Sequence, residues 1–160
     1  VKLNISGFKV LIDDEDYDKI NILKWVVRVK NGYPIVVSPY YDKTSKNTKY
    51  INMARYLMDV TDKNIDVDHK NGNTLDNKRS TNLRESTHQE NMFNQKIKSS
   101  NTTGYKGVSF DRKRNKFRAY IVFNYKQIFL GYHKNKKKAA LKYNNKAIEL
   151  YGEFALLNKI

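Results

Sequence analysis

Asp68, His69 and Asn91 are the residues in this chain whose types and order could do chemistry. A carboxylate and an amide oxygen are hard ligands that suit Mg²⁺ or Mn²⁺, and Mg²⁺ in particular keeps several waters and needs few protein ligands. A His beside such an ion can take a proton from water, and the ion can offset charge growing on a phosphate and its leaving oxygen. Together these are the parts of a phosphodiester hydrolase. Taken alone, the Asp68-His69 dipeptide is explained as well by chance, and the Asn residues by their use in loops. The ordered pattern is harder to attribute to chance than any of its members.

The elements that must position these groups can be read around them. Ile65-Asp66-Val67 is a short β-like run that ends on Asp68 and His69. Asn71, Gly72, Asn73, Asp76 and Asn77 favour turns and bends. Residues 83–86 can return as a second strand. Thr87-His88-Gln89-Glu90 then has the form of a capping box, in which Thr87 caps a helix and Glu90 reaches back. That places Asn91 on the first turn of the helix. A strand, loop, strand and helix in this order would gather Asp68, His69 and Asn91 around one small volume.

Asp68-His69, Asn82-Leu83-Arg84 and Asn91 resemble the three blocks of HNH nucleases, in the Asp-His…Asn…Asn form common in phage and intron homing endonucleases. The resemblance implies a ββα-metal fold. It implies that His69 is the general base, that Asp68 and Asn91 hold the metal, and that Asn82 braces the loop and orients His69. The family often runs Asn-Arg-x-x-Asn-Leu-Arg. Here Lys78 stands between Asn77 and Arg79-Ser80-Thr81-Asn82-Leu83-Arg84, which gives the loop one extra residue.

The net charge of +15 over 160 residues calls for a polyanionic partner, nucleic acid before anionic membrane. Residues 1–60 carry 10 Lys and Arg against 7 Asp and Glu, residues 61–96 carry 6 against 6, and residues 97–160 carry 15 against 3. The candidate metal site therefore lies in a neutral segment and the candidate grip on nucleic acid in the last third. The absence of Cys excludes disulfides and a Cys-x-x-Cys structural zinc. It agrees with a reducing compartment. No apolar run approaches the length of a membrane span, so no membrane partner is expected. The expected setting is the cytoplasm of a bacterial or phage-infected host cell.

Residues 1–12 read as a strand. Asp13-Asp14-Glu15-Asp16 could be a metal cluster, but acids before a helix more often favour the positive end of its dipole, and the capping reading is preferred. Tyr17, Ile20, Ile22 and Leu23 suggest that short helix. Residues 25–29 and 33–37 flank Asn31-Gly32 and read as a hairpin, with Trp25 in the core. Pro39 and the polar run 42–49 read as a loop, and residues 50–60 as a helix from the spacing of Ile51, Ala54, Leu57 and Met58. Residues 11–17, with Lys24-Trp25, also resemble the flank that precedes the motif in phage endonucleases. They are assigned no chemistry.

Residues 98–104 are a polar joint and the expected domain boundary. Beyond it, residues 106–110, 116–123 and 126–132 read as strands, and a helix capped by Asn135 runs to about Tyr151, ended by Gly152. Alternation puts Phe117, Ala119, Ile121 and Phe123 on one side of the middle strand and Arg118, Tyr120 and Val122 on the other. In the third strand Ile128 and Leu130 would be core, with Gln127 and Phe129 outward. An open face of this kind, edged by Lys106, Arg112, Lys113, Arg114 and Lys116, suits DNA, although a charge run by itself is usually a solvated surface.

Tyr105-Lys106-Gly107-Val108, Lys116-Phe117-Arg118-Ala119, Phe129-Leu130-Gly131, Ala139-Ala140, Tyr143 and Ala147-Ile148 resemble the Apetala-type (ethylene-response-factor) DNA-binding domain over about residues 101–158. That match implies Lys106, Arg118, Tyr120, Gln127 and Phe129 at DNA-facing sites. Ser109 replaces the Arg usual in plant members, and the turn 111–115 differs from their Arg-Pro-Trp-Gly form, so base preference does not transfer.

The expected architecture is α+β, with an N-terminal flank and ββα-metal module over residues 1–97 (motif 65–97) and a sheet-and-helix DNA-binding domain over residues 98–160. The expected function is a monomeric homing endonuclease acting on double-stranded DNA with Mg²⁺ or Mn²⁺. The rivals are a non-cutting DNA-binding regulator with a decayed nuclease core, and an RNA-binding protein, since basic sheets with aromatics also stack single-stranded bases.

Overall fold

The computed structural model describes residues 1–97 and 99–160; Lys98, where the expected joint begins, lies outside the described residues. The chain divides into two compact units, Val1–His88 and Gln89–Ile160. Among the described residues no helix is long and apolar enough to cross a membrane.

The first unit opens with a hairpin, β1 (Lys2–Ile5) and β2 (Phe8–Leu11), where a single strand was expected. Ser6 and Gly7 both take positive φ, 52° and 80°, and this pair reverses the chain. A 3₁₀ turn, Asp14–Asp16, leads into α1 (Tyr17–Ile20). The acids do not cap it. Asp13 accepts from the Ser80 backbone N and Oγ at 2.9 and 2.7 Å, and Asp16, only 1% exposed, accepts from Arg79 Nε at 2.9 Å. A carboxylate so buried needs a charged partner, and that partner lies 63 residues ahead.

The expected hairpin forms as β3 (Val26–Lys30) and β4 (Tyr33–Asp42), with Asn31 and Gly32 at φ 52° and 81°. β4 continues through the stretch expected to be loop and pairs with β5 (Asn47–Asn52). Asp42 closes the turn by accepting from the Thr44 and Ser45 backbone N atoms at 2.9 and 3.4 Å. The following helix, α2 (Met53–Leu57), is shorter than expected and starts late because Asn52 is its N-cap, accepting from Arg55 N at 3.2 Å. Val10, Ile12, Ile20, Val36, Met53 and Leu57 form the core of this unit, with Trp25 packed against it and donating from Nε1 to the Ile20 carbonyl at 2.7 Å. β6 (Ile65–His69) and β7 (Leu83–Thr87) form a separate antiparallel pair, and Leu83 reaches the same core.

α3 (His88–Phe93) follows Thr87, as expected, but Phe93 is a core residue of the second unit. Its ring stacks on Tyr151 at 3.7 Å and on Phe123 at 6.1 Å. This packing is why the division falls after His88 rather than at the polar joint. The second unit has β8 (Val108–Asp111), β9 (Lys116–Phe123) and β10 (Lys126–His133) in the antiparallel order β10-β9-β8. α4 (Lys136–Tyr151) lies on one sheet face, its Asn135 cap accepting from Lys137 N at 2.8 Å. Ala119 and Ile121 of β9 are buried with Ala139, Ala140, Tyr143 and Ala147 of α4, so the inner face is the one that alternation predicts.

β8 begins at Val108 rather than at Lys106 because Gly107 takes φ 69°. A Cβ there would stand 2.0 Å from the Tyr143 ring and 2.5 Å from the Tyr120 carbonyl oxygen. Gly107→Ala combines left-handed backbone strain with overpacking, roughly 2–5 kcal/mol together. Urea unfolding followed by far-UV circular dichroism should show the loss in the second unit, while Trp25 fluorescence, which reports on the first, stays unchanged.

Candidate active site

The β6–β7 register sets the site. Asp68 stands opposite Arg84 and His69 opposite Leu83. Asp68 is 5% exposed, and its Oδ2 accepts from Arg84 Nε and Nη2 at 2.9 and 2.7 Å. His69 is half-buried, and burial holds its imidazole below the ordinary His range. The ring is therefore neutral at neutral pH, the form that can accept a proton.

The loop from Lys70 to Asn82 is held from inside. Asn82 is buried; its Oδ1 accepts from Asn71 N at 3.0 Å and its Nδ2 donates to the Asp76 carbonyl at 2.6 Å. These two bonds tie Asn82 to the backbone of the loop at Asn71 and Asp76. The contact to the imidazole comes from another residue, with Asn77 Oδ1 3.3 Å from His69 Nε2. Asn77 is 1% exposed and is set in place by β2, where Leu11 N donates to the Leu75 carbonyl at 2.8 Å and Asn77 N donates to the Leu11 carbonyl at 2.7 Å. Arg79 and Ser80, just beyond, are the residues held by Asp16 and Asp13. The acidic flank is thus a clamp on the loop behind the imidazole.

Sequence reasoning saw Asn77 only as a turn former. The available signal was Leu75, a lone apolar residue in a polar loop, which packs against the core and marks the loop's inner side. The structure brings Asp68, His69, Asn77 and Asn82 together. Asn91 lies on α3 and belongs to the second unit, where it is half-buried. Among the described residues no group of three or more His, Cys, Asp or Glu forms a metal cage. Of the two expected donors, the Asp68 carboxylate stands in the first unit beside His69, and a carboxylate oxygen is a ligand of the kind a hard cation takes.

On the second unit, the outer sheet face carries most of the expected DNA-facing residues. Arg118 Nη2 donates to Gln127 Oε1 at 2.6 Å, and its guanidinium lies 5.6 Å from the Tyr120 ring centre and 5.9 Å from that of Phe129. Phe129 is 51% exposed. Arg112, Lys113, Arg114 and Lys116 are exposed at the β8–β9 turn, where Arg114 pairs with Asp111 at 3.1 Å. Tyr132 joins this face, edge-on to Phe129 at 5.0 Å and under Arg114 at 5.0 Å. Strict alternation hides it, because a bulge between Phe129 and Gly131 resets the register and brings Tyr132 opposite Arg118. Lys106 differs from its expected place. Its Nζ donates to the Phe93 and Gln95 carbonyls at 2.5 and 2.7 Å, and burial pushes its ammonium down to about 8.

The pattern of a family described as HNH endonuclease matches residues 61–93, which hold β6, the loop, β7 and α3. The chain is also similar to an uncharacterised HNH endonuclease of Acanthamoeba polyphaga mimivirus. The two are 35% identical over 155 residues, which is 97% of this chain and 77% of that protein. No solved structure matches.

Proposed function

Because the chain belongs to the HNH endonuclease family, we propose that it is a metal-dependent nuclease that hydrolyses phosphodiester bonds of double-stranded DNA. The observation that carries this reading is the placement of the His69 imidazole at the end of β6, next to buried Asp68 and with Nε2 3.3 Å from Oδ1 of buried Asn77. His69 takes a proton from water as that water attacks phosphorus. The bond to the 3′ oxygen breaks, leaving a 5′-phosphate and a 3′-hydroxyl. Asp68 is the residue beside His69 that would hold Mg²⁺ or Mn²⁺, and the bound ion would offset charge on the phosphate and leaving oxygen. Asn82 and Asn77 keep the loop and the ring in place through this change.

We read the second unit as an Apetala-type DNA-binding domain whose outer face, centred on Arg118, Tyr120, Gln127, Phe129 and Tyr132, meets the duplex. Lys106 acts there as a structural tie rather than a DNA contact. A monomeric homing enzyme of a phage or mobile element is the role that fits these parts together.

Incubation with supercoiled plasmid and Mg²⁺ tests the reading. Cutting should produce ends that ligate without phosphorylation, stop on addition of a chelator, and return when Mg²⁺ or Mn²⁺ is restored. Undiminished cutting after exhaustive chelation would reject the metal-dependent mechanism.

A further inference from the structure

The pairing of β3 with β4 ends at Val26 and Val37, while β4 and β5 stay paired out to Asp42 and Asn47. Beyond Ser38 the sheet is therefore a two-stranded ribbon. Of residues 39–50 only Asp42 is not exposed, and Tyr40, Tyr41 and Tyr50 are 45%, 63% and 45% exposed. A ribbon without a core of its own is marginal in water, and one this rich in bare tyrosine is unusual on a surface with nothing to bind.

The charge indicates the occupant. Residues 26–50 carry 5 Lys and Arg against the single acid Asp42, whereas the rest of residues 1–60 carry 5 against 6. Asp42 is an ion-pair partner of Lys49 and also accepts from Ser45 Oγ at 2.9 Å, so its charge is spent on closing the tip. Lys43 and Lys46 are exposed in that tip. At the ribbon's base the Arg28 guanidinium lies over the Tyr50 ring at 4.2 Å.

We propose that the β4–β5 ribbon is a second DNA-binding element, inserted into the major groove of duplex DNA beside the cut site. The major groove admits a two-stranded ribbon. Lys43 and Lys46 then meet phosphates at the tip, and the tyrosine hydroxyls reach phosphates or base edges. The proposal rests on the nuclease reading only for the position of the cut site.

The test uses the full chain and a labelled DNA duplex. The Lys43→Ala/Lys46→Ala variant should lower the slope of log affinity against log salt by about 1.8, or about 30-fold in affinity at 0.15 M salt. It should also shorten the hydroxyl-radical footprint on one side of the cut, with Trp25 fluorescence and the unfolding midpoint unchanged. Tyr41→Ala should weaken binding without changing the slope, because a hydroxyl releases no counterion. A wild-type slope and footprint in the lysine variant would overturn the proposal. So would tighter binding of wild type to an RNA duplex of the same sequence, or a DNA-free dimer that the lysine variant loses, which would make the ribbon's edge a contact between copies. A wild-type chain that binds and is footprinted but never cuts would reject the nuclease reading and leave the ribbon's role standing.

Discussion

His69→Ala is expected to lower plasmid cleavage by about 10²–10⁴-fold, the range that a positioned general base contributes. The ring is half-buried at the end of β6 and outside the hydrophobic core, so its loss removes the proton acceptor and leaves the fold intact. Binding to the same DNA in a gel should persist, because the charge excess lies beyond the neutral segment 61–96. Trp25 fluorescence, from the chain's single Trp, should match wild type and exclude unfolding of the first unit as the cause. Asn77→Ala should fall between wild type and His69→Ala, since it keeps the imidazole and removes only the amide beside it. A His69→Ala variant that cuts at the wild-type rate under matched Mg²⁺ would show that the base is another group.

Arg84→Ala should destabilise the first unit by about 3–5 kcal/mol, the cost of breaking a buried ion pair from one side. The Arg84 and Asp68 side chains are 10% and 6% exposed, and two guanidinium nitrogens share one carboxylate oxygen. Removing the cation leaves a buried carboxylate without its charged partner. Removing the charge as well, in Arg84→Ala/Asp68→Asn, should restore part of the loss, because a buried amide is cheaper than a buried carboxylate. Urea unfolding followed by Trp25 fluorescence measures both variants. If the double variant is less stable than Arg84→Ala, the pair is not the source of the penalty.

The two predictions differ in how far they could be read ahead of the structure. His69 is identifiable from its neighbours, because Asp-His, Asn-Leu-Arg and a later Asn occur in a fixed order along the chain. The Arg84–Asp68 pair needs the β6–β7 register, which the turn residues between the strands leave open. Asn77 needed more still, since its neighbour across the hydrogen bonds is Leu11, far back in the chain.

Local chemistry alone determined several things about this protein. The Asn31-Gly32 turn, the Asn135 cap and the alternation in Lys116–Phe123 depend on residues within a few positions of one another, and the step in charge after residue 96 is a sum along the chain that needs no fold. Tertiary structure alone decided that Asp13 and Asp16 clamp a loop rather than cap a helix, which Asn touches His69, and where Lys106 points. Each of those turns on burial. A carboxylate, amide or ammonium removed from water must find a partner, and that partner comes from whatever element the fold packs beside it, at any distance along the chain.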